Sequence, residues 1–553
     1  MRLNGAQIIV KLLEQHGIKQ LSGIPGGANL PIYDALVDSS IEHILTRHEQ
    51  GGGFIAQGMA RVSGEAAVCM ASSGPGATNL VTAVADAYLD SIPLIAITGQ
   101  VPSSMVGTDA FQECDTFGLM LPITKHNWLV RSAAELLDVI PAAFRIASSG
   151  RPGPVSIDVP KDVQLEEINI DSMPPCLPLD AMPKASETEV THFNQLLTAA
   201  QRPMLMVGGG VIHSGQAKLL RQLAEQQQMP VVASFMGLGV IPADHPLSLG
   251  MLGMHGTQGT NMALEECDLL IAAGVRFDDR ATGKVSEFCP QAKIIHIDID
   301  RSELGKIKQP CLGITADVCD TIKRLSQITP PQARLQWHER IAHLKQHFGL
   351  SDSEGCALFT PQGLITELGK QCGSETNIIT DVGQHQMWTA QLFPFQRPRQ
   401  WISSGGLGTM GFGLPAAIGA ALQQPERIAL CISGDGSIMM NIQELDTAAE
   451  HNLNVKVVVM NNNHLGMVRQ QQKLFYKGRF SGINNRRPVD LAKVAEGMGV
   501  SGIDLGKQAN PQQALAEALA APGPCLINVP ISEQEMVFPM VPPGAANHEM
   551  IVE

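Results

Sequence analysis

The chain has 553 residues, 44% of them apolar and 17% charged, so it is too long for one core and too ordinary in composition for large-scale disorder. At about 150 residues per domain, three or four domains are expected. A net charge of −14 argues against nucleic acid or an anionic membrane surface as a partner, although a few local Arg or Lys residues suffice for a small anion. The eleven cysteines show no C-x-x-C pair and no zinc-type spacing, as expected of reduced thiols. No signal peptide opens the chain and no apolar run reaches the ~18 residues of a membrane span, so a soluble, cytoplasmic protein is expected.

Over the first 160 residues, β-branched runs at 41–47, 67–71, 94–98 and 155–159 alternate with helical patterns, which predicts βαβ units and a parallel sheet. Between 165 and 186 the alternation fails, and Pro174, Pro175, Pro178 and Pro183 mark a linker. In a second α/β segment, 204–207 leads into Gly208-Gly209-Gly210, 269–272 leads into Gly274, and 294–299 runs into Asp298 and Asp300. It fades near Pro330-Pro331, and a polar stretch at 351–355 precedes a third unit with strands at 377–380, 428–432 and 455–459. A Pro-rich tail, 538–546, is too long and too apolar to be a frayed end. The expected fold is α/β: three doubly wound parallel-sheet domains at 1–164, 187–330 and 360–532, plus a C-terminal arm at 533–553.

The strongest chemical signal is Gly434-Asp435-Gly436, followed after a predicted helix (438–451) and strand by Asn461-Asn462. In a βαβ unit the two parallel strands end side by side at the ligand-binding edge, which brings Asp435 and Asn462 within a few ångströms. A carboxylate and an amide oxygen are hard ligands suited to Mg²⁺, with a phosphate completing the octahedron. The glycines let backbone amides approach that phosphate at the helix start. A tight turn and an unrelated Asn-rich loop is the alternative that these residues alone leave open. Gly406-Leu407-Gly408-Thr409-Met410-Gly411 also matches G-x-G-x-x-G, a weak dinucleotide signal here because only a short strand-like stretch precedes it.

The metal motif resembles the thiamine-diphosphate signature, and more than 500 residues resemble the acetohydroxyacid (acetolactate) synthase catalytic subunits. The matching stretches are 23–27 (GIPGG), 47–50 (RHEQ), 73–79 (SGPGATN), 107–113 (GTDAFQE), 149–154 (SGRPGP), 250–256 (GMLGMHG), 276–280 (RFDDR), 383–388 (GQHQMW), 405–417 (GGLGTMGFGLPAA) and 541–547 (VPPGAAN). The likeness is closest to the bacterial isozyme type that works with a small regulatory subunit.

That resemblance implies thiamine diphosphate, Mg²⁺ and FAD as cofactors. It implies condensation of pyruvate with a second pyruvate or with 2-oxobutanoate, the first common step of branched-chain amino-acid synthesis. A flavin-linked pyruvate oxidase or a 2-oxoacid decarboxylase is the alternative. Glu49 is implied as the carboxylate on the cofactor's pyrimidine ring, Met410 as the bulky support beneath the cofactor and Gly408 as the carbonyl that accepts from its exocyclic amine. Gly434, Gly436 and Ser437 fall at the diphosphate, and Asp435, Asn462 and His464 at the metal. Arg151, His255, Arg276, Asp298 and Asp317 align with contacts to a flavin that carries no electrons in the main reaction. Arg276 also aligns with the grip on the second substrate's carboxylate, for which a two-pronged guanidinium is well suited, and Phe111, Gln112 and Lys161 with active-site positions of the first domain. Gln471 departs from the family, many members of which carry Trp there, and so predicts little preference between the two acceptors. Family resemblance further implies a homodimer or tetramer in which the first domain of one subunit faces the third domain of another.

Overall fold

The computed structural model describes residues 1–350, 355–484 and 487–553; the polar stretch expected at 351–355 lies, except for Gly355, outside them. Three six-stranded sheets organise the described residues, and every pairing within them is parallel. Strands such as Ala67–Ala71 and Leu94–Gln100 are buried along their whole length, as the uninterrupted apolar runs of a sheet covered on both faces require. All eleven cysteines are free thiols. Among the described residues no helix is long and apolar enough to cross a membrane.

Each sheet reverses its direction of growth after its opening strands, and glycines lie at that reversal. In the first sheet the chain runs from Gln20–Gly23 outward to Glu42–Leu45, then returns to Ala67–Ala71 on the other side. In the second, Pro203–Val207 and Leu269–Ala273 are the central neighbours. In the third, Asn377–Thr380 leads out to Trp401–Ile402 before the chain returns to Ala429–Gly434. Ligands bind in the crevice that such a reversal opens beyond the strand ends. The GIPGG and SGPGATN stretches occupy the first crevice, Gly208–Gly210 and Gly274 the second, and Gly383 and Gly434 the third.

The differences from expectation have local causes. Within the expected linker, Glu167–Asn169 pairs antiparallel with Arg2–Asn4, tying the end of the first unit to its start. The middle unit continues past 330: helix Leu335–Phe348 packs back on it, with Trp337 Nε1 donating to the Pro203 carbonyl at 3.2 Å. The helix expected over 438–451 is two short pieces, Asp435–Ile438 and Glu444–Glu450. It breaks where the Asn441 amide turns away to donate to the Gly411 carbonyl at 2.8 Å and to Gln50 at 3.3 Å. The C-terminal arm packs on both later units: Val541 N–H donates to the Met254 carbonyl at 2.8 Å, and Gln470 Nε2 to the Val537 carbonyl at 2.9 Å.

First and third units meet through helices Glu49–Ser63 and Gly413–Gln423, both buried almost all round. Their backbones touch, because a Cβ on Gly58 would strike the Ala416 carbonyl and one on Gly419 the Ile55 carbonyl. Alanine normally favours a helix over glycine by about 1 kcal/mol, whereas overpacking a closed contact costs about 1–3 kcal/mol or more. Clash therefore outweighs propensity at this site. Gly419→Ala is expected to lower the thermal midpoint by several degrees; an unchanged or raised midpoint would contradict the contact.

Candidate active site

Strands Ala429–Gly434 and Val455–Asn461 are hydrogen-bonded neighbours, with Gly434 opposite Met460. Asp435 and Asn462 therefore emerge side by side, and the Asn462 N–H donates to Asp435 Oδ1 at 3.3 Å across 27 residues of sequence. Both are buried and line a small cavity of about 80 Å³ together with Gly434, Gly436, Ser437, His385 and His464. Glycine is needed at the cradle: a Cβ on Gly434 would lie 2.9 Å from His385 Nδ1, and one on Gly436 would strike Leu465. The helix starting at Asp435 is a single turn, so this edge offers separate amides rather than an extended helix dipole. His385 is fully enclosed, its pKa is pushed down to about 3 by burial, and its Nε2 has no partner. A buried polar atom without a partner is costly, and a phosphate oxygen in this cradle would satisfy it. The residues present thus fit a metal-bound diphosphate.

His464 lines the same cavity, but its imidazole is already engaged. Nδ1 lies 2.8 Å from the Asn462 carbonyl and Nε2 3.5 Å from Glu533. Among the described residues no group of three or more His, Cys, Asp or Glu side chains could hold a metal ion; the strand ends bring together one carboxylate, Asp435, and one amide, Asn462.

A cavity of about 670 Å³ opens beside the first, lined by residues of all three units, and Met410, Val382, Gly383, Met467 and Val468 form walls of both. Arg151, His255, Arg276, Asp298 and Asp317 line it from one side, Gly408 and Gln471 from the other. Helix Gly466–Phe475 presents Met467, Val468 and Gln471 to it, a spacing of three and four residues that shares one face. Several of these groups are already committed. Arg151 bonds Ser91 Oγ at 2.8 Å, Asp300 at 3.2 Å and Glu303 at 2.7 Å. Asp317 caps helix Val318–Ile328 by accepting from the Cys319 and Asp320 amides, both at 2.9 Å. His255 Nδ1 lies 3.0 Å from the Pro539 carbonyl, and burial holds its pKa down at about 4. Burial raises Asp298 to about 6. Arg276 differs: no ion pair or hydrogen bond engages its guanidinium among the described residues, so a full positive charge stands on the cavity wall. At the bottom, a Cβ on Gly210 would lie 2.7 Å from Gly274 Cα, a closeness that leaves room for a dinucleotide at the crevice. Size, acidic groups and glycine corner all fit FAD.

The first-unit residues gather at another edge. Glu49 is the first residue of helix Glu49–Ser63, which starts two residues earlier than Gly51 and is capped by His48. Asn79 Nδ2 donates to Glu49 Oε2 at 2.9 Å. Gly76, in the SGPGATN turn, leaves space against the same carboxyl, and Gly74 leaves space for the Gln112 carbonyl. Phe111 and Gln112 sit on a loop closed by Glu113, whose carboxylate accepts from the Thr108 and Ala110 amides at 3.1 Å and from that of Gly107. Those bonds, Gly107's above all, hold the Glu113 carboxyl below its ordinary pKa. Phe111 at the tip is 88% exposed. Lys161 opens a short helix at the end of strand Val155–Pro160. Glu49, Phe111, Gln112 and Lys161 line neither cavity. Glu113 and His385 were not singled out from sequence as site residues, though both lie inside stretches (GTDAFQE, GQHQMW) that carried the family likeness.

Residues 3–119 match the N-terminal TPP binding domain of thiamine pyrophosphate enzymes, 190–325 their central domain and 381–529 their C-terminal TPP binding domain. The chain is 56% identical over 553 residues to the acetolactate synthase isozyme 1 large subunit of Escherichia coli (strain K12), spanning 100% of this chain and 98% of that one. It belongs to the acetolactate synthase large-subunit family. Isozyme 2 of the same organism is 46% identical over 550 residues, covering 99% of each chain. The chloroplastic acetolactate synthase 1 of Zea mays is 44% identical over 567 residues, covering 99% of this chain and 89% of that one. Within this family the G-x-G-x-x-G match at 406–411 belongs to a thiamine-diphosphate enzyme rather than to a dinucleotide-binding turn.

Proposed function

We infer that this chain is the catalytic large subunit of an acetolactate synthase, joining two 2-oxoacids with loss of carbon dioxide in branched-chain amino-acid synthesis. The observation that carries the reading is 56% identity to a synthase over the full length, combined with an Arg276 unpaired among the described residues in the larger cavity, whose Met410 wall is shared with the Asp435–Asn462 cradle. The chemistry that thiamine diphosphate supplies when bound is an electron sink for decarboxylating one 2-oxoacid and joining the two-carbon remainder to a second carbonyl. Asp435 and Asn462 hold Mg²⁺ and the diphosphate, and His385 Nε2 satisfies a phosphate oxygen. Glu49 would hold a proton at the pyrimidine ring, Met410 would support the cofactor and the Gly408 carbonyl would accept from its exocyclic amine. Arg276 grips the acceptor carboxylate with two parallel N–H donors. The larger cavity takes FAD as a structural group through the residues that line it from the middle unit.

The position of Glu49 supports a site shared between two chains. It lines neither cavity, and apolar residues are exposed on both sides of the gap. Phe111, Leu119 and Leu121 are exposed on the first unit, and Leu407, Met439 and Met440 on the third. Exposed apolar patches of this kind mark contact surfaces, and a second copy would cover them while bringing its Glu49 to this chain's cradle. A homodimer is accordingly the smallest active unit. Family membership as a large subunit supports a small regulatory partner.

Purified protein with pyruvate, Mg²⁺, thiamine diphosphate and FAD should form acetolactate without oxygen. In Arg276→Lys the charge stays but the fork is lost, and a charge-assisted bond is worth about 1.5–3 kcal/mol. The ratio of acetolactate to acetaldehyde should therefore fall about tenfold, and an unchanged ratio would remove Arg276 from the acceptor site.

Gln471 offers the cavity a narrow, polar-tipped wall where an indole would give a broad apolar one. An apolar wall discriminates one methylene by about 1–3 kcal/mol, so the unmodified enzyme should barely distinguish pyruvate from 2-oxobutanoate as acceptor. Gln471→Trp should raise the preference for 2-oxobutanoate several-fold in direct competition. A strong preference already present in the parent would contradict this role.

A further inference from the structure

Helix Pro75–Asp90 of the first unit carries two carboxylates one turn apart, Asp86 and Asp90, 0% and 7% exposed. Among the described residues one cation meets them. Arg61, on helix Glu49–Ser63, donates Nη2 to Asp86 Oδ1 at 3.2 Å and to Asp90 Oδ2 at 2.8 Å. Its Nη1 donates to the Ser403 carbonyl at 3.0 Å, and its guanidinium lies 4.9 Å over the Phe412 ring. One buried carboxylate would neutralise Arg61, and a second adds a desolvation cost of several kcal/mol in kind. Burial first, and then the neighbouring Asp90, push Asp86 up to about 6. The surplus acid therefore needs another reason to be there.

Its remaining bonds supply that reason, because all run to one segment of the third unit. The Gly405 N–H donates to Asp90 Oδ2 at 3.0 Å and the Gly406 N–H to Asp90 Oδ1 at 2.7 Å. Thr409 Oγ1 donates to Asp86 Oδ2 at 2.9 Å, as does Ser404 Oγ, which in turn accepts from the Thr409 N–H at 2.8 Å. A Cβ on Gly406 would lie 2.8 Å from Leu89 Cβ, so the approach is closed to other residues. This turn leads directly to Gly408, in the left-handed region at φ 71°, and to Met410 on the shared wall of the two cavities. On its far side the Gly411 N–H donates to Asp381 Oδ1 at 2.8 Å.

We propose that Asp86 and Asp90 are positioning residues for the cofactor turn: from the first unit they clamp residues 404–409 by amide and hydroxyl bonds, so that Gly408 and Met410 are held at the height the thiamine rings require. This rests on the reading that Met410 supports the cofactor. Asp86 lines neither cavity, Asp90 borders only the larger one, and the diphosphate cradle at Asp435 and His385 lies outside the clamp.

That separation provides the test. Asp90→Asn leaves Arg61 paired with Asp86 and removes the surplus negative charge, while its NH₂ group must confront either the Gly406 donor or the Gly405 and Arg61 donors. Thr409→Val removes only the donor to Asp86 and decides the matter should Asp90→Asn fail to fold. Binding is measured calorimetrically on protein stripped of cofactor, with Mg²⁺ and either thiamine diphosphate or inorganic pyrophosphate as the probe. Losing one or two charge-assisted bonds should weaken thiamine diphosphate about tenfold in either variant, with pyrophosphate affinity unchanged within about twofold. If both probes weaken together, the acids serve general folding, and if neither weakens there is no clamp; each result overturns the proposal. A parent protein that binds pyrophosphate but not thiamine diphosphate overturns the cofactor reading beneath it, and the proposal with it.

Discussion

The contact between helices Glu49–Ser63 and Gly413–Gln423 is the constraint on which the site depends. Gly58 and Gly419 allow the two backbones to touch, and that closeness sets several positions at once. One helix begins with Glu49 and carries Arg61 near its far end. The other begins just after the turn that bears Gly408 and Met410. Fifteen residues of helix span roughly 22 Å at 1.5 Å per residue, so Glu49 and the Arg61 that pairs with Asp86 and Asp90 sit near opposite ends of a single rigid element. Both ends bond the third unit: the Arg47 and His48 N–H groups donate to Glu444 at 3.0 and 3.1 Å, and Arg61 to the Ser403 carbonyl at 3.0 Å.

The three sheets share one architecture and divide the chemistry. Each opens a crevice where its strand order reverses, and each crevice is lined by glycines that a side chain would block. The third brings Asp435 and Asn462 together because they end neighbouring strands, a donor pair that fits a metal-bound diphosphate. The second opens onto the larger cavity, whose lining fits a flavin. The first carries Glu49, the SGPGATN turn and the Glu113-closed loop. Charge is distributed unevenly in a net −14 chain: among the described residues Arg276 stands unpaired on the larger cavity, whereas Arg151 in the same cavity and the buried Arg61 are paired with carboxylates.

Much of this was legible before any coordinates. Fully buried parallel strands are continuous apolar runs, so 67–71, 94–98 and 377–380 stand out, and the βαβ rule alone brought Asp435 to Asn462. What was not legible depends on contacts remote in sequence. The helix expected over 438–451 breaks because Asn441 reaches Gly411 and Gln50, which no periodicity encodes. The pairing of Glu167–Asn169 is three residues long and fell inside a Pro-rich stretch. The clamp joins Asp86 and Asp90 to residues more than 300 positions away. Its only local trace is a pair of acids four apart in an otherwise apolar helix. The bonds of the His464 imidazole to its own loop and to Glu533 were likewise not legible; the family likeness places the residue at the metal without showing what its side chain touches.

The central claim is that acetolactate forms at a site built from Glu49 of one chain and Asp435 of another. Co-expression of differently tagged Glu49→Gln and Asp435→Ala chains, followed by purification of the mixed dimer, tests it directly. Each variant alone should be nearly inactive. In the mixed dimer one of the two symmetry-related sites carries both changes and the other neither, so acetolactate formation should recover to about half that of the parent. A mixed dimer as inactive as its two components would place both residues in the same chain's site and contradict the account.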